Sequence, residues 1–361
     1  MNHFWKNQVV MITGHTGFKG SWLTLWLNNL GAKVHGFALN PPTHPSLFEA
    51  AHIHSMLVSD TRANLSDISQ LKTAIHQSEP SILFHLAAQP LVRASYDNPL
   101  ETLQTNIMGT ANLLEAARDV KSLRAIIVIT TDKVYANKET THPYCEQDAL
   151  GGFDLYSASK AAAEIITASY RDSFFNKNSG SQINIATARA GNVIGGGDWA
   201  KDRLIPDCLT AFASGNPVHL RYPHAIRPWQ HVLEPLAGYI KLAEQLLLPN
   251  GADFARAWNF GPHQNNNETV CFVAEMLAKL WGGESKIMFD KNNVNPHEAN
   301  LLKLDSRSAH NKLTWNSRWS LMETLDHTVS WYKAWEQKAD MLKICMDQLN
   351  HYENSPLLNN V

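Results

Sequence analysis

Two groups of residues in this 361-residue chain have the types and spacing to do chemistry. Tyr156 and Lys160 form a Y-x-x-x-K pair. On a helix, positions i and i+4 share one face, where an ammonium can lower a phenol's pKa and hold a ribose. A phenol so lowered takes the proton of an alcohol while the carbon beneath it is oxidised. Upstream, an apolar run ends in Thr130-Thr131, and Thr131 supplies a hydroxyl to share that proton. The second group is Gly14-His15-Thr16-Gly17-Phe18-Lys19-Gly20, spaced G-x-x-G-x-x-G between an apolar run and an amphipathic stretch. Glycines permit a tight turn and close backbone approach, and the helix that follows presents unpaired N–H groups to a diphosphate. Gly14, Thr16, Gly17, Phe18 and Gly20 are therefore expected to bind a dinucleotide. No G-K-[ST] ends the run, so it is not a P-loop. With nine tyrosines in the chain, Y-x-x-x-K alone is weak. The order of glycine turn, threonine and Tyr/Lys pair on suitable elements is what makes it specific.

The second expected strand ends at Leu39-Asn40, where an acidic residue would ordinarily hold the adenosine ribose. Asn40 can accept through its amide oxygen but brings no charge. Pro41, Pro42 and Thr43 follow, leaving no adjacent Arg to neutralise a 2′-phosphate, so NAD is expected over NADP. Asp60, after a third expected strand, is a candidate for the adenine edge; a surface loop carboxylate is the competing reading.

The elements that must carry these residues alternate. Strands are expected at 8–13, 33–39, 81–85, 124–130 and 182–189, and helices at 18–30, 65–77, 100–118 and 155–175. Parallel strands need crossovers that pack back on the sheet, so this alternation predicts an α/β fold, a Rossmann-type doubly wound parallel sheet. After Ala190 the texture turns to Gly, Asp, Pro and aromatics, with helical patterns at 236–247, 269–280 and 321–349 and one more possible strand at 258–260. The expected division is a dinucleotide-binding domain over 1–190, completed by segments near 224–262. A smaller carboxy-terminal substrate-binding lobe is expected mainly over 191–361, leaving a cleft between the two.

Composition narrows the function classes. Hydrophobic residues are 44% and charged residues 18%, which argues against disorder, collagen and coiled coil. Lys plus Arg number 31 against 33 Asp plus Glu, a net charge of −2 that carries no global footprint for nucleic acid or an anionic membrane. Cys145, Cys208, Cys271 and Cys345 form no C-x-x-C pair, and the 17 histidines show no H-E-x-x-H spacing, so neither a disulfide framework nor a metal site is expected. Residues 1–8 lack the apolar core of a signal peptide and no apolar run reaches the length of a membrane span, so a cytoplasmic location is expected.

These residues together resemble the extended short-chain dehydrogenase/reductase family over most of the chain. Leu86-Ala87-Ala88-Gln89 is similar to its cofactor-side loop and Asn106-Ile107-Met108-Gly109-Thr110 to its helix motif. A narrower resemblance, to the CDP-glucose 4,6-dehydratases, rests on residues 14–23 (GHTGFKGSWL), 88–96 (AQPLVRASY), 190–207 (AGNVIGGGDWAKDRLIPD) and 227–236 (RPWQHVLEPL). It implies conversion of CDP-D-glucose to CDP-4-keto-6-deoxy-D-glucose and water, with NAD returned unchanged. Tyr156, Lys160 and Thr131 would serve the oxidation at C4. Asp132 and Lys133 would serve the elimination, Asp132 protonating the departing C6 hydroxyl and Lys133 handling the C5 proton. In the related dTDP-glucose dehydratases that pair is Asp-Glu, so Lys133 is a meaningful difference. Leu86, Ala87 and Gln89 are implied at the cofactor, and Gln89 and Arg93 at the sugar. Asn192, Arg203, Arg221 and Arg227 are placed at the nucleotide diphosphate, with Asn259 a further polar candidate and His297-Glu298 a possible border. The family usually has Asp where this chain has Asn40. The resemblance also implies a homodimer through the helices at 100–118 and 155–175. The competing functions are another sugar-nucleotide dehydratase or a 4-epimerase, and more remotely a noncatalytic dinucleotide sensor.

Overall fold

In the computed structural model, which describes residues 4–176, 179–262, 267–283, 285–289 and 301–358, the alternating pattern becomes a single parallel sheet. Its strands are β1 (Val9–Thr13), β2 (Lys33–Ala38), β3 (Leu57–Arg62), β4 (Ile82–His85), β5 (Ala125–Ile129) and β6 (Asn184–Ala190). The chain then makes β7 (Asn192–Ile194), β8 (Val218–Leu220) and β9 (Ile226–His231) before β10 (Ala257–Phe260) returns to the same sheet. The order is β10-β6-β5-β4-β1-β2-β3, with all seven strands parallel. The short run at 258–260 is thus a strand of the main sheet, paired to β6.

β4 and β5 are buried along their whole length, which is why they read as unbroken apolar runs rather than alternating ones. Val10, Ile12 and Ile127 pack into the larger apolar cluster on one face, and Met11, Leu83 and Ile126 into a second cluster on the other. β1 lies between β4 and β2, so successive crossovers leave it in opposite directions. That switch point opens a crevice beyond the carboxyl ends of the strands, the place where such sheets bind ligands.

Two helical patterns resolve differently from expectation. The pattern at 100–118 is one continuous helical rod, but it passes from α-helix (Pro99–Leu103) through a π turn (Gln104–Met108) to α-helix (Gly109–Ala117). The π turn carries the buried Asn106, which bonds to Ser159 and to the backbone of Gln89. The pattern at 321–349 is two helices, Leu321–Glu336 and Met341–Asn354. Lys338 at φ 57° breaks them, and Asp340 caps the second by accepting from the Lys343 N–H. The helix Leu204–Ala213 begins inside the Gly- and Asp-rich stretch, and Pro206 sits in its first turn, where a missing N–H costs nothing.

The carboxy-terminal elements share the core of the sheet. β7 and β9 join β11 (Asn267–Thr269) in a second sheet, and β8 pairs with β12 (Ile287–Phe289). Trp199 meets Trp331, Tyr332 and Trp335 edge-on, and the Trp22 indole donates to the Gly196 carbonyl at 3.0 Å. A Cβ on Gly196 would lie 2.0 Å from Cγ of Trp331. Gly196→Ala is therefore expected to cost about 3 kcal/mol in urea denaturation, since the ring has nowhere to move. Gly215→Ala, at φ +68° with nothing within 4 Å of the new methyl, is expected to cost only about 1 kcal/mol. Equal losses at the two positions would contradict the close packing at Gly196.

Candidate active site

The turn after β1 is built by exclusion of side chains. Gly14 has φ +76°, and a Cβ there would lie 2.6 Å from the Ala87 nitrogen; a Cβ on Gly20 would lie 2.1 Å from the Gly14 oxygen. Gly17 caps the helix Phe18–Asn29 without a side-chain hydrogen bond, and its first turn holds no acidic residue. The amides at this helix end are left for an outside anion. Thr16 Oγ1 donates to the Leu39 carbonyl at 3.0 Å, tying the turn to the end of β2.

A cleft of about 600 Å³ opens here. Gly14, Thr16, Gly17, Phe18, Gly20, Asn40, Leu86 and Ala87 line one part of it. The glycine cradle and the uncapped helix end fit a dinucleotide. Thr131, Asp132, Lys133, Tyr156 and Lys160 line the next part. Arg93, Asn192, Arg203, Arg221 and Arg227 complete the wall.

The catalytic candidates are set by two helix caps. Asp154 caps the helix Leu155–Phe174 by accepting from the Ser157 N–H, which starts the turn that brings Tyr156 inward. Thr131 caps the short 3₁₀ turn Asp132–Val134: its oxygen accepts from the Lys133 N–H and its hydroxyl donates to Asp132 Oδ1 at 3.0 Å. Tyr156 lies beside Thr131 in the cleft wall. Its phenol, however, is pushed up to about 12 by burial, with Asp132 adding to the shift and Thr131 and Arg203 opposing it. The lowered phenol expected from the Tyr/Lys spacing is thus not present in the free chain. The Lys160 ammonium donates to the Ile129 carbonyl at 3.1 Å and is itself lowered to about 8 by burial, with Glu164 opposing.

Asp132 is buried, and its Oδ2 has no hydrogen-bond partner among the described residues. Burial raises its pKa, while the charges of Lys133, Arg227 and Lys19 and the Thr131 hydrogen bond oppose. Burial thus shifts Asp132 toward the protonated acid at a position lining the cleft.

Three expected ligand contacts are used within the protein instead. Asn259 is fully buried: Oδ1 accepts from the Tyr135 hydroxyl at 2.7 Å and Nδ2 donates to the Tyr144 carbonyl at 2.9 Å. Gln89 closes its own loop, with Nε2 donating to Thr102 and the Leu91 carbonyl and Oε1 accepting from the Leu91 N–H. Asp60 lies in β3, not after it, and its carboxylate is held by His15 at 2.8 Å and Arg62 at 2.7 Å. None of the three lines the cleft. Arg62 also reaches the Leu39 carbonyl beside Asn40, an arginine near the end of β2 that adjacency in sequence did not disclose. Its pairing with Asp60 occupies it. Residues 295–298 lie outside the described residues.

Lys19, Asp198 and Asp202 also line the cleft and were not anticipated. Asp198 accepts from Arg203 at 2.7 Å, and Asp202 holds Arg221 at 2.6 Å with Arg93 at 3.6 Å. For Lys19 the signal was present, a basic residue inside the glycine motif.

Comparison with known proteins places the chain in a family. The family model described as GDP-mannose 4,6 dehydratase matches residues 11–328. The chain is 47% identical over 352 residues to the CDP-glucose 4,6-dehydratase of Salmonella typhimurium, covering 97% of each. It is 24% identical over 349 residues to the dTDP-glucose 4,6-dehydratase of Haemophilus influenzae, covering 90% of this chain and 97% of that one. In fold it is similar to the NAD complex of dTDP-glucose 4,6-dehydratase from Bacillus anthracis. That match has TM-score 0.76 and 20% identity, over 93% of this chain and 99% of the other.

Behind the site, Glu164 accepts from Thr130 at 2.5 Å, Thr187 at 2.6 Å and Arg189 at 2.8 and 3.0 Å. Glu164→Gln leaves the buried Arg189 without its counter-charge and is expected to cost about 3 kcal/mol in denaturant unfolding. A loss under about 1 kcal/mol, the value of an exposed pair, would contradict the burial described.

Proposed function

The chain belongs to the GDP-mannose 4,6-dehydratase family, and from that premise we propose that it dehydrates CDP-D-glucose to CDP-4-keto-6-deoxy-D-glucose. The observation that carries dehydration, rather than epimerisation or another oxidation, is the buried Asp132. It favours its protonated form and keeps one oxygen unpartnered beside Thr131. An epimerase has no departing hydroxyl for such an acid to protonate. The choice of cytosine is supported by the relative from Salmonella typhimurium.

NAD, when bound, accepts hydrogen from C4 and returns it at C6. Gly14, Thr16, Gly17, Phe18, Gly20, Asn40, Leu86 and Ala87 would hold it along the cleft. Tyr156 takes the proton of the C4 hydroxyl beside Thr131, and the Lys160 cation one turn further along the same helix face favours the phenolate. The C4 ketone makes the C5 proton acidic. Lys133, as the neutral amine, takes that proton and becomes the ammonium, and Asp132 gives its own proton to the C6 hydroxyl, which leaves as water across C5–C6. Lys133 then returns a proton to C5 as C6 is reduced. C4 ends oxidised, C6 ends reduced, and one water is lost. Arg203, Arg221, Arg227 and Asn192 offer cations and an amide to the substrate diphosphate, and Arg93 lines the cleft for the sugar.

The same reading assigns 1–190 with the returning β10 segment to the cofactor and the remainder mainly to the substrate. Leu100 and Met108 on one helical rod and Ile165 and Phe174 on the helix Leu155–Phe174 are exposed apolar side chains, which supports a homodimer through these helices. Among the described residues no helix is long and apolar enough to cross a membrane, and the four cysteines are free, which supports a cytoplasmic location.

Mass spectrometry of CDP-glucose incubated with the protein and NAD tests the reaction. The expected product has lost one water, with no reduced cofactor accumulating. Asp132→Asn is expected to lower its rate by roughly 100-fold, the usual scale for loss of a general acid. An isomer of unchanged mass, or turnover only with another nucleotide sugar, would overturn the assignment.

A further inference from the structure

The glycine-rich turn carries two basic side chains, and they face opposite ways. His15 points inward, fully buried, with Nε2 on Asp60. Lys19 lines the cleft. Its own backbone N–H belongs to the first turn of the helix Phe18–Asn29, the uncapped end described above. A diphosphate seated on that end therefore meets the amide and the side chain of the same residue.

What surrounds the ammonium comes from every wall of the cleft. Arg203 and Asp198, from the segment after β7, Lys160, on the helix Leu155–Phe174, and Asp132, in the turn after β5, line the same cleft and act on the ammonium's charge. Including Lys19, three cations meet two carboxylates, and burial favours the protonated, uncharged form of one of those, Asp132. Among the described residues the ammonium makes no hydrogen bond or ion pair. A lysine so placed, in a cationic recess with an open helix end beneath it, is arranged to receive an anion rather than to brace the fold.

We propose that Lys19 is the side-chain cation for the diphosphate of bound NAD, and that arrival of that dianion charges it, so that cofactor binding takes up a proton. This rests on NAD as the cofactor and not on the identity of the nucleotide sugar. In the free chain burial, then Arg203 and Lys160, lower the ammonium to about 7, against the opposing pull of Asp132 and Asp198. The dianion raises it. A group whose pKa is higher in the bound state favours binding fully below its free value. That contribution is lost as pH rises from the free value through the bound one.

Isothermal titration of NAD into the ligand-free protein, in buffers of different ionisation enthalpy at pH 7 and pH 8.5, reads this directly. The expected result is uptake approaching one proton at pH 8.5 and a Kd roughly tenfold weaker than at pH 7. Lys19→Arg keeps a permanent charge, so it binds NAD with no uptake and little pH dependence, which also shows that the site still folds. Lys19→Met binds roughly tenfold more weakly at pH 7 and takes up no proton. Absence of uptake in the natural chain, or the same uptake and pH slope in Lys19→Met, would overturn the proposal. No nucleotide sugar is present in the assay, so failure of the dehydratase reading would leave its outcome intact.

Discussion

The buried carboxylate of Glu164 is the constraint on which the site's geometry depends. It lies on the same helix face as Tyr156 and Lys160, one turn beyond the lysine. Its partners come from β5 through Thr130 and from β6 through Thr187 and Arg189. These bonds fix both the rotation and the axial position of the helix against the sheet. Thr131 follows Thr130 directly, so the same anchor sets the approach of the tyrosine to the threonine. From Arg189 the chain of bonds runs on through the Tyr135 hydroxyl to Asn259 on β10, at 2.9 and then 2.7 Å. The last strand of the sheet and the catalytic helix are thereby held by one polar network. Fully satisfied networks of this kind rigidify, and partly satisfied ones are costly.

Around that anchor, burial disfavours charge on several groups of the free site. It favours the protonated phenol of Tyr156 and the protonated acid of Asp132, and it lowers the ammonium groups of Lys160 and Lys19. Asp132 is thereby shifted toward the form that gives a proton, and Lys19 toward the form that is charged when an anion arrives. Both suit a reaction that begins with a diphosphate arriving and later expels a hydroxyl as water.

The features legible in the sequence were those in which residue type and spacing alone dictate geometry. The glycine turn, the i and i+4 tyrosine and lysine, and the wholly buried strands β4 and β5 fall where their patterns require. Asn259, Gln89 and Asp60 show the boundary of such reasoning. Each is polar and near a motif, but neighbouring groups claim it first: the Tyr135 hydroxyl, the Leu91 backbone, and the His15 and Arg62 side chains. Periodicity cannot see such competition: Tyr135 and His15 are distant in sequence, the Leu91 backbone belongs to the loop itself, and the pairing of Arg62 with Asp60 depends on side-chain geometry within the strand. The π turn around Asn106 and the helix Leu204–Ala213 were hidden for related reasons. One inserts a residue into a continuing helical pattern, and the other starts within a Gly- and Asp-rich stretch with proline in its first turn. Lys19 was in plain view, but its importance arises from Arg203, Lys160 and Asp132, which the fold alone brings to it.

The most direct measurement uses CDP-glucose labelled with deuterium at C4. One cleft that oxidises C4, eliminates water and reduces C6 without releasing its cofactor must return the label within the same molecule. After turnover with unlabelled NAD, the label is expected at C6 of the 4-keto-6-deoxy product. Label washed into solvent, retained at C4, or found in the free cofactor pool would contradict a single site acting in that order.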